Sequence, residues 1–140
     1  MANTSDGKPD VILKHLDFLQ SVISRMAANS FLIKGWAVTL VSALLAFGTK
    51  EAKPTYAALA TYPTLAFWGL DAYYLMQERL FRAHWIIAAR QILEMQPLVK
   101  DLPTAKKTYQ SALGARTVWP LYTSILLVVA LVLGKTIWRP

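Results

Sequence analysis

The sequence predicts an all-α membrane protein: three transmembrane helices extend into a cytosolic helical stalk, and subunits assemble as a homo-oligomeric bundle. Three observations predict it. Windows 31–49, 54–77 and 117–138 are apolar and meet or approach the ~20 residues that cross a hydrocarbon core of ~30 Å. The segments beside them keep helical spacing of apolar residues. Basic residues fall unevenly on the two sides of those windows. With 140 residues, 55% of them apolar, and a net charge of +7, the chain is one domain's worth of protein, more apolar than a soluble domain of its size.

Residues 1–10 are expected to be a disordered lead, with Pro9 and Asp10 suited to starting a helix. Over the cytosolic amphipathic helix 11–30, Ile12, Leu16, Leu19, Ile23 and Met26 recur at alternating steps of four and three. No breaker separates this segment from the first span, 31–49, so one helix is expected from about Val11 to about Phe47. In the second span, 54–77, Asp71 is the only charge. The helix is expected to run on into a cytosolic hairpin, 78–116. There Phe81, Trp85, Ala88, Ile92 and Met95 repeat the seam, and Arg79, Arg82 and Arg90 fall on the opposite face. Pro97 and Pro103 bound the tip, and Asp101 is placed to cap a third helix beginning near Pro103. Gly114 and Pro120 are expected to kink that helix as it enters the third span, 117–138.

Orientation follows from the charges. Eleven basic residues lie on one side: Lys8, Lys14, Arg25 and Lys34 ahead of or just inside span one, and Arg79, Arg82, Arg90, Lys100, Lys106, Lys107 and Arg116 between spans two and three. Only Lys50, Lys53, Lys135 and Arg139 lie on the other. The positive-inside rule therefore predicts a cytoplasmic N-terminus and middle loop and an outer C-terminus, which is periplasmic in a bacterial inner membrane. Trp36, Tyr73, Tyr74, Trp119 and Tyr122 mark one headgroup level, Tyr56 and Trp138 the other, and Trp68 is a candidate for core packing. The polar start MANTSDGKPD leads into no short apolar stretch with a cleavage site, so a cleavable secretion signal is not expected.

Several chemistries are excluded or unsupported. Without cysteine there is no disulfide and no thiol ligation. His15 and His84 lie on different helices with no HExxH pattern, and both read as ordinary stalk residues. There is no phosphate-cradling glycine loop, serine elbow or paired-carboxylate motif. No enzyme activity, metal or cofactor is expected.

A charge inside a span is costly unless it faces protein, water or a partner. Lys34 and Asp71 are expected at similar depth if spans one and two cross in opposite directions, and three readings follow. They form a structural ion pair; or they contribute, with Thr39, Ser42, Thr61 and Thr64, to a polar ring lining a pore; or they relay protons, for which a second protonatable group is lacking. The basic stalk is also open to two readings. Cationic residues near a cytoplasmic face follow from orientation alone, but Arg90, Lys100, Lys106 and Lys107 lie several turns from the bilayer, where headgroups attract weakly. Together with Arg79, Arg82 and Arg116 they are candidates to bind a nucleotide or single-stranded nucleic acid, with Trp85 or Tyr109 as a stacking surface.

The strings ISRMAANSFLIKGWAVTL (23–40) and FWGLDAYYLMQERLFR (67–82) resemble small bacterial inner-membrane channel effectors of nucleotidyltransferase-associated, Hailong-type anti-phage systems. The likeness spans the first two spans and their cytosolic extensions. It implies an oligomeric ion channel gated by an oligonucleotide that a partner nucleotidyltransferase makes. The positions it favours are Arg25, Asn29 and Lys34 in the first string and Asp71, Glu78, Arg79 and Arg82 in the second. The expectation is thus a membrane effector whose pore, gated at the basic stalk, depolarises the cell. The alternative is a non-conducting membrane scaffold or accessory subunit that docks a cytoplasmic partner. A three-span phage holin fits poorly, because its N-terminus lies outside and it lacks a long cytosolic stalk.

Overall fold

The computed structural model describes residues 7–51, 54–92 and 105–138, which form four helices and, among the described residues, no strand. α1 spans Gly7–Glu51 and α2 spans Pro54–Ile92, each unbroken. α1 begins inside the expected lead, because Pro9 sits in the first turn, where a missing N–H breaks no intrahelical bond, and Asp10 favours that end electrostatically. Residues 1–6, and the tip residues Pro97, Lys100, Asp101 and Pro103, lie outside the described residues.

α2 carries Pro63 in its interior without ending there. The missing N–H leaves the Leu59 carbonyl without its usual donor, and beside it Thr64 Oγ1 donates to the Ala60 carbonyl at 2.8 Å. The expected third long helix is two pieces. α3 stops at Leu113 (Ala105–Leu113), residues 114–118 turn, and α4 runs Trp119–Ile137. Pro120, in the first turn of α4, has no N–H and crowds the carbonyl four residues back, so the chain breaks here instead of kinking. The turn is closed by the Val118 and Trp119 N–H groups, both donating to the Ala115 carbonyl at 2.9 Å.

α1 and α2 pack as an antiparallel hairpin along most of their length, and this is the largest interface. α4 lies antiparallel to α2: Tyr122 stacks on Trp68, and Val129 meets Ala60. Its start also meets Ala37 of α1. The fully buried positions on α1 and α2 are mostly small (Ala37, Ala57, Ala60 and Ala72), which lets backbones approach closely. Away from this level, α1 and α2 continue as a stalk that, among the described residues, no other helix joins, sealed by Leu19, Val22, Ile23 and Ala88. Leu19 and Ile23 belong to the expected seam; Val22 joins it as the helices twist.

Two helices are long and apolar enough to cross a membrane, within Leu13–Lys50 and over Trp119–Ile137. Only 17% and 11% of those windows is buried, so their apolar faces stay uncovered, unlike the core helix of a soluble protein. Over 54–77 the tyrosines, threonines and prolines of α2 lower its hydropathy, although α2 packs against both.

Candidate functional site: a buried polar junction where stalk meets membrane segment

The hairpin register places Ser30 and Lys34, one turn apart on α1, against Asp71 of α2. Lys34 Nζ lies 2.6 Å from Asp71 Oδ2 and donates to Oδ1 at 2.7 Å. It also donates to Ser30 Oγ at 2.8 Å, and Ser30 Oγ in turn donates to Asp71 Oδ1. Asp71 is wholly buried, whereas the Lys34 side chain keeps 21% of its surface exposed. That asymmetry decides the geometry: in this arrangement the carboxylate faces its own subunit, and only the lysine reaches outward. The fully buried Tyr122 of α4 closes the cluster beside Asp71, with its hydroxyl lacking a hydrogen-bond partner among the described residues. The carboxylate thus ties α1 to α2, with Tyr122 of α4 packed beside it.

The other intramembrane candidates divide. Thr64 is buried and bonded within its own helix, and Thr61 is half-buried. Thr39 and Ser42 are exposed on α1. Thr39 Oγ1 is tied to the Gly35 carbonyl at 2.9 Å, while Ser42 lines an open groove of about 180 Å³ between α1 and α4, opposite Ser124. Tyr122, expected at the headgroup level, is instead internal; Trp36, Tyr73 and Trp119 remain exposed.

The stalk candidates fall into two groups. In the stalk proper, Arg82 is paired with Glu78 at 2.8 Å, Trp85 is half-buried beside Gln20, Ile23 and Ile86, and Arg90 is half-buried. The second group gathers around α3, which lies on α2 where the stalk meets the membrane segment. Arg79 donates to Ser111 Oγ at 3.0 Å, and the Tyr109 hydroxyl donates to the Gly69 carbonyl at 3.4 Å. Tyr109 therefore packs on α2 and is half-buried. Lys106 and Arg116 are exposed. Lys107 lies on α3 with its side chain outside the described residues, as Lys100 is altogether. Among the described residues no three His, Asp or Glu side chains converge as metal ligands would.

Ser30 and Tyr122 are the residues that sequence reasoning missed. Ser30 stands one turn before Lys34 and so on the same face, a signal present but common. Nothing in the spacing marks Tyr122, because its direction depends on the turn at 114–118. No family model, curated protein or solved structure matches the chain.

Proposed function

We propose that the chain is a three-span membrane effector, a homo-oligomeric ion channel gated by an anionic nucleotide or oligonucleotide at its basic cytosolic stalk. α2 supplies the third span, since it packs between two helices apolar enough to cross and its residues 54–70 are uncharged. The observation that carries the reading is continuity: α1 and α2 each run without interruption from the basic stalk into the membrane segment, through the Ser30–Lys34–Asp71 cluster. A ligand that favours one stalk arrangement shifts the membrane ends of the same helices. Exposed Val11, Leu13 and Phe18 on a stalk of only two described helices support self-association. Exposed Thr39 and Ser42 supply a polar stripe for a shared lumen. Opening depolarises the cell, as befits the anti-phage setting that the resemblance implies.

Purified protein in planar bilayers, given short oligoribonucleotides on the stalk side, is expected to produce stepwise currents. Silence from protein shown to be inserted would remove the channel. A second reading, a non-conducting scaffold docking a cytoplasmic partner, is favoured by one observation: the ion pair closes inside a single chain and leaves Asp71 no exposed surface. Co-purification of a stoichiometric partner, with unchanged membrane permeability, would select it.

A further inference from the structure

We propose that the cleft between α2 and the α3–α4 turn binds an anionic phospholipid, one acyl chain within the cleft and the phosphate against Arg116. The proposal rests on the membrane reading above but not on conduction. The cleft holds about 440 Å³ and is lined by Leu65, Trp68, Gly69, Leu113, Gly114 and Trp119. Its polar groups are already used: the Trp68 indole N–H donates to the Leu113 carbonyl at 3.1 Å, and the Gly69 carbonyl accepts from Tyr109. What faces the space is ring and aliphatic carbon, which suits a hydrocarbon chain and no polar ligand. A Cβ at Gly114 would meet nothing within 4 Å, so there is room for a larger side chain at this edge of the cleft.

The cleft's place in the fold specifies the headgroup. Gly69 lies two residues before Asp71, where the uncharged stretch of α2 ends, and Trp119 is the first residue of α4. The cleft therefore sits at the boundary between hydrocarbon and cytosol, lined at its edge by exposed Trp119, and exposed Arg116 lies in the turn that joins the lining residues Gly114 and Trp119. Residues 105–119 carry Lys106, Lys107 and Arg116 and no acid in sequence, and of these Lys106 and Arg116 are exposed. A zwitterionic lipid brings its own ammonium into this field; an anionic one does not.

The test is native mass spectrometry on membrane-extracted protein in micelles holding equal phosphatidylglycerol and phosphatidylcholine. Wild type is expected to retain phosphatidylglycerol preferentially. Arg116→Gln is expected to cut that preference about fivefold, the worth of one cation near an anionic surface. Gly114→Leu, which fills the cleft, is expected to reduce both lipid adducts; should it misfold, the exposed Arg116 variant decides alone. Equal retention of the two lipids by wild type, or adducts unmoved by the substitutions, would overturn the proposal. So would lipid-free dimers that Gly114→Leu dissociates, because they would assign the cleft to a second copy. Recovery of the chain from the soluble fraction would instead overturn the membrane reading itself.

Discussion

The stalk and the junction are built from the same two helices but held by different physics. In the stalk, Leu19, Val22 and Ile23 of α1 are buried against α2, a narrow apolar seam of the kind that water drives together. At the junction the fully buried side chains are Ala37, Ala72, Val118, Tyr122 and one carboxylate, Asp71, with Ser30 and Lys34 bonded to it. There the close approach of small side chains and the polar bonds of the cluster hold the helices. The difference teaches where movement is cheap. The stalk can slide or splay at the cost of a few apolar contacts, whereas the junction moves only by breaking a buried ion pair.

The sharpest way to break this contrast is Lys34→Met. It leaves Asp71 buried without its counter-ion and is expected to cost about 3–5 kcal/mol, read as a lower melting temperature in detergent. The double variant Lys34→Met/Asp71→Leu is expected to recover most of that loss, because replacing both charges removes the uncompensated one. A double variant as unstable as the single would show that packing, not charge, holds the junction.

Ile23→Ala probes the stalk. It is expected to cost about 2 kcal/mol, at the lower end for a large apolar truncation, because a two-helix seam can partly collapse into the space. Limited proteolysis should then cut the stalk faster and leave the membrane segment intact; equal acceleration in both would erase the distinction. Ala37→Leu tests close approach from the other side. Crowding Val118 and Tyr122 is expected to cost roughly 1–2 kcal/mol in the same melts, where an exposed alanine of α1 such as Ala43 would tolerate leucine. The smallest effect is expected from Glu78→Gln. It breaks a one-turn pair with a largely exposed Arg82, worth at most about 0.5 kcal/mol and lost in high salt.

The long elements were legible because their determinants are local. Unbroken helical spacing with no breaker before residue 51 marks α1, and isolated charges in apolar windows have few places to go, which is why Lys34 and Asp71 stand out. The turn at 114–118 was only half legible: Gly114 and Pro120 announce an interruption, but kink or full stop depends on bonds to the Ala115 carbonyl. That turn also settles the direction of Tyr122, so its place beside Asp71 was hidden. Tyr109 was misleading for a similar reason. An aromatic among lysines suggests an exposed stacking surface, whereas the docking of α3 turns it onto Gly69.

The central claim is that the junction transmits the stalk's state into the membrane. Bacteria expressing wild type or Asp71→Asn at matched membrane levels, followed with a voltage-sensitive dye, test it most directly. The account predicts that the two depolarisation traces differ, since the substitution releases Lys34 from the pair. Superimposable traces would contradict it.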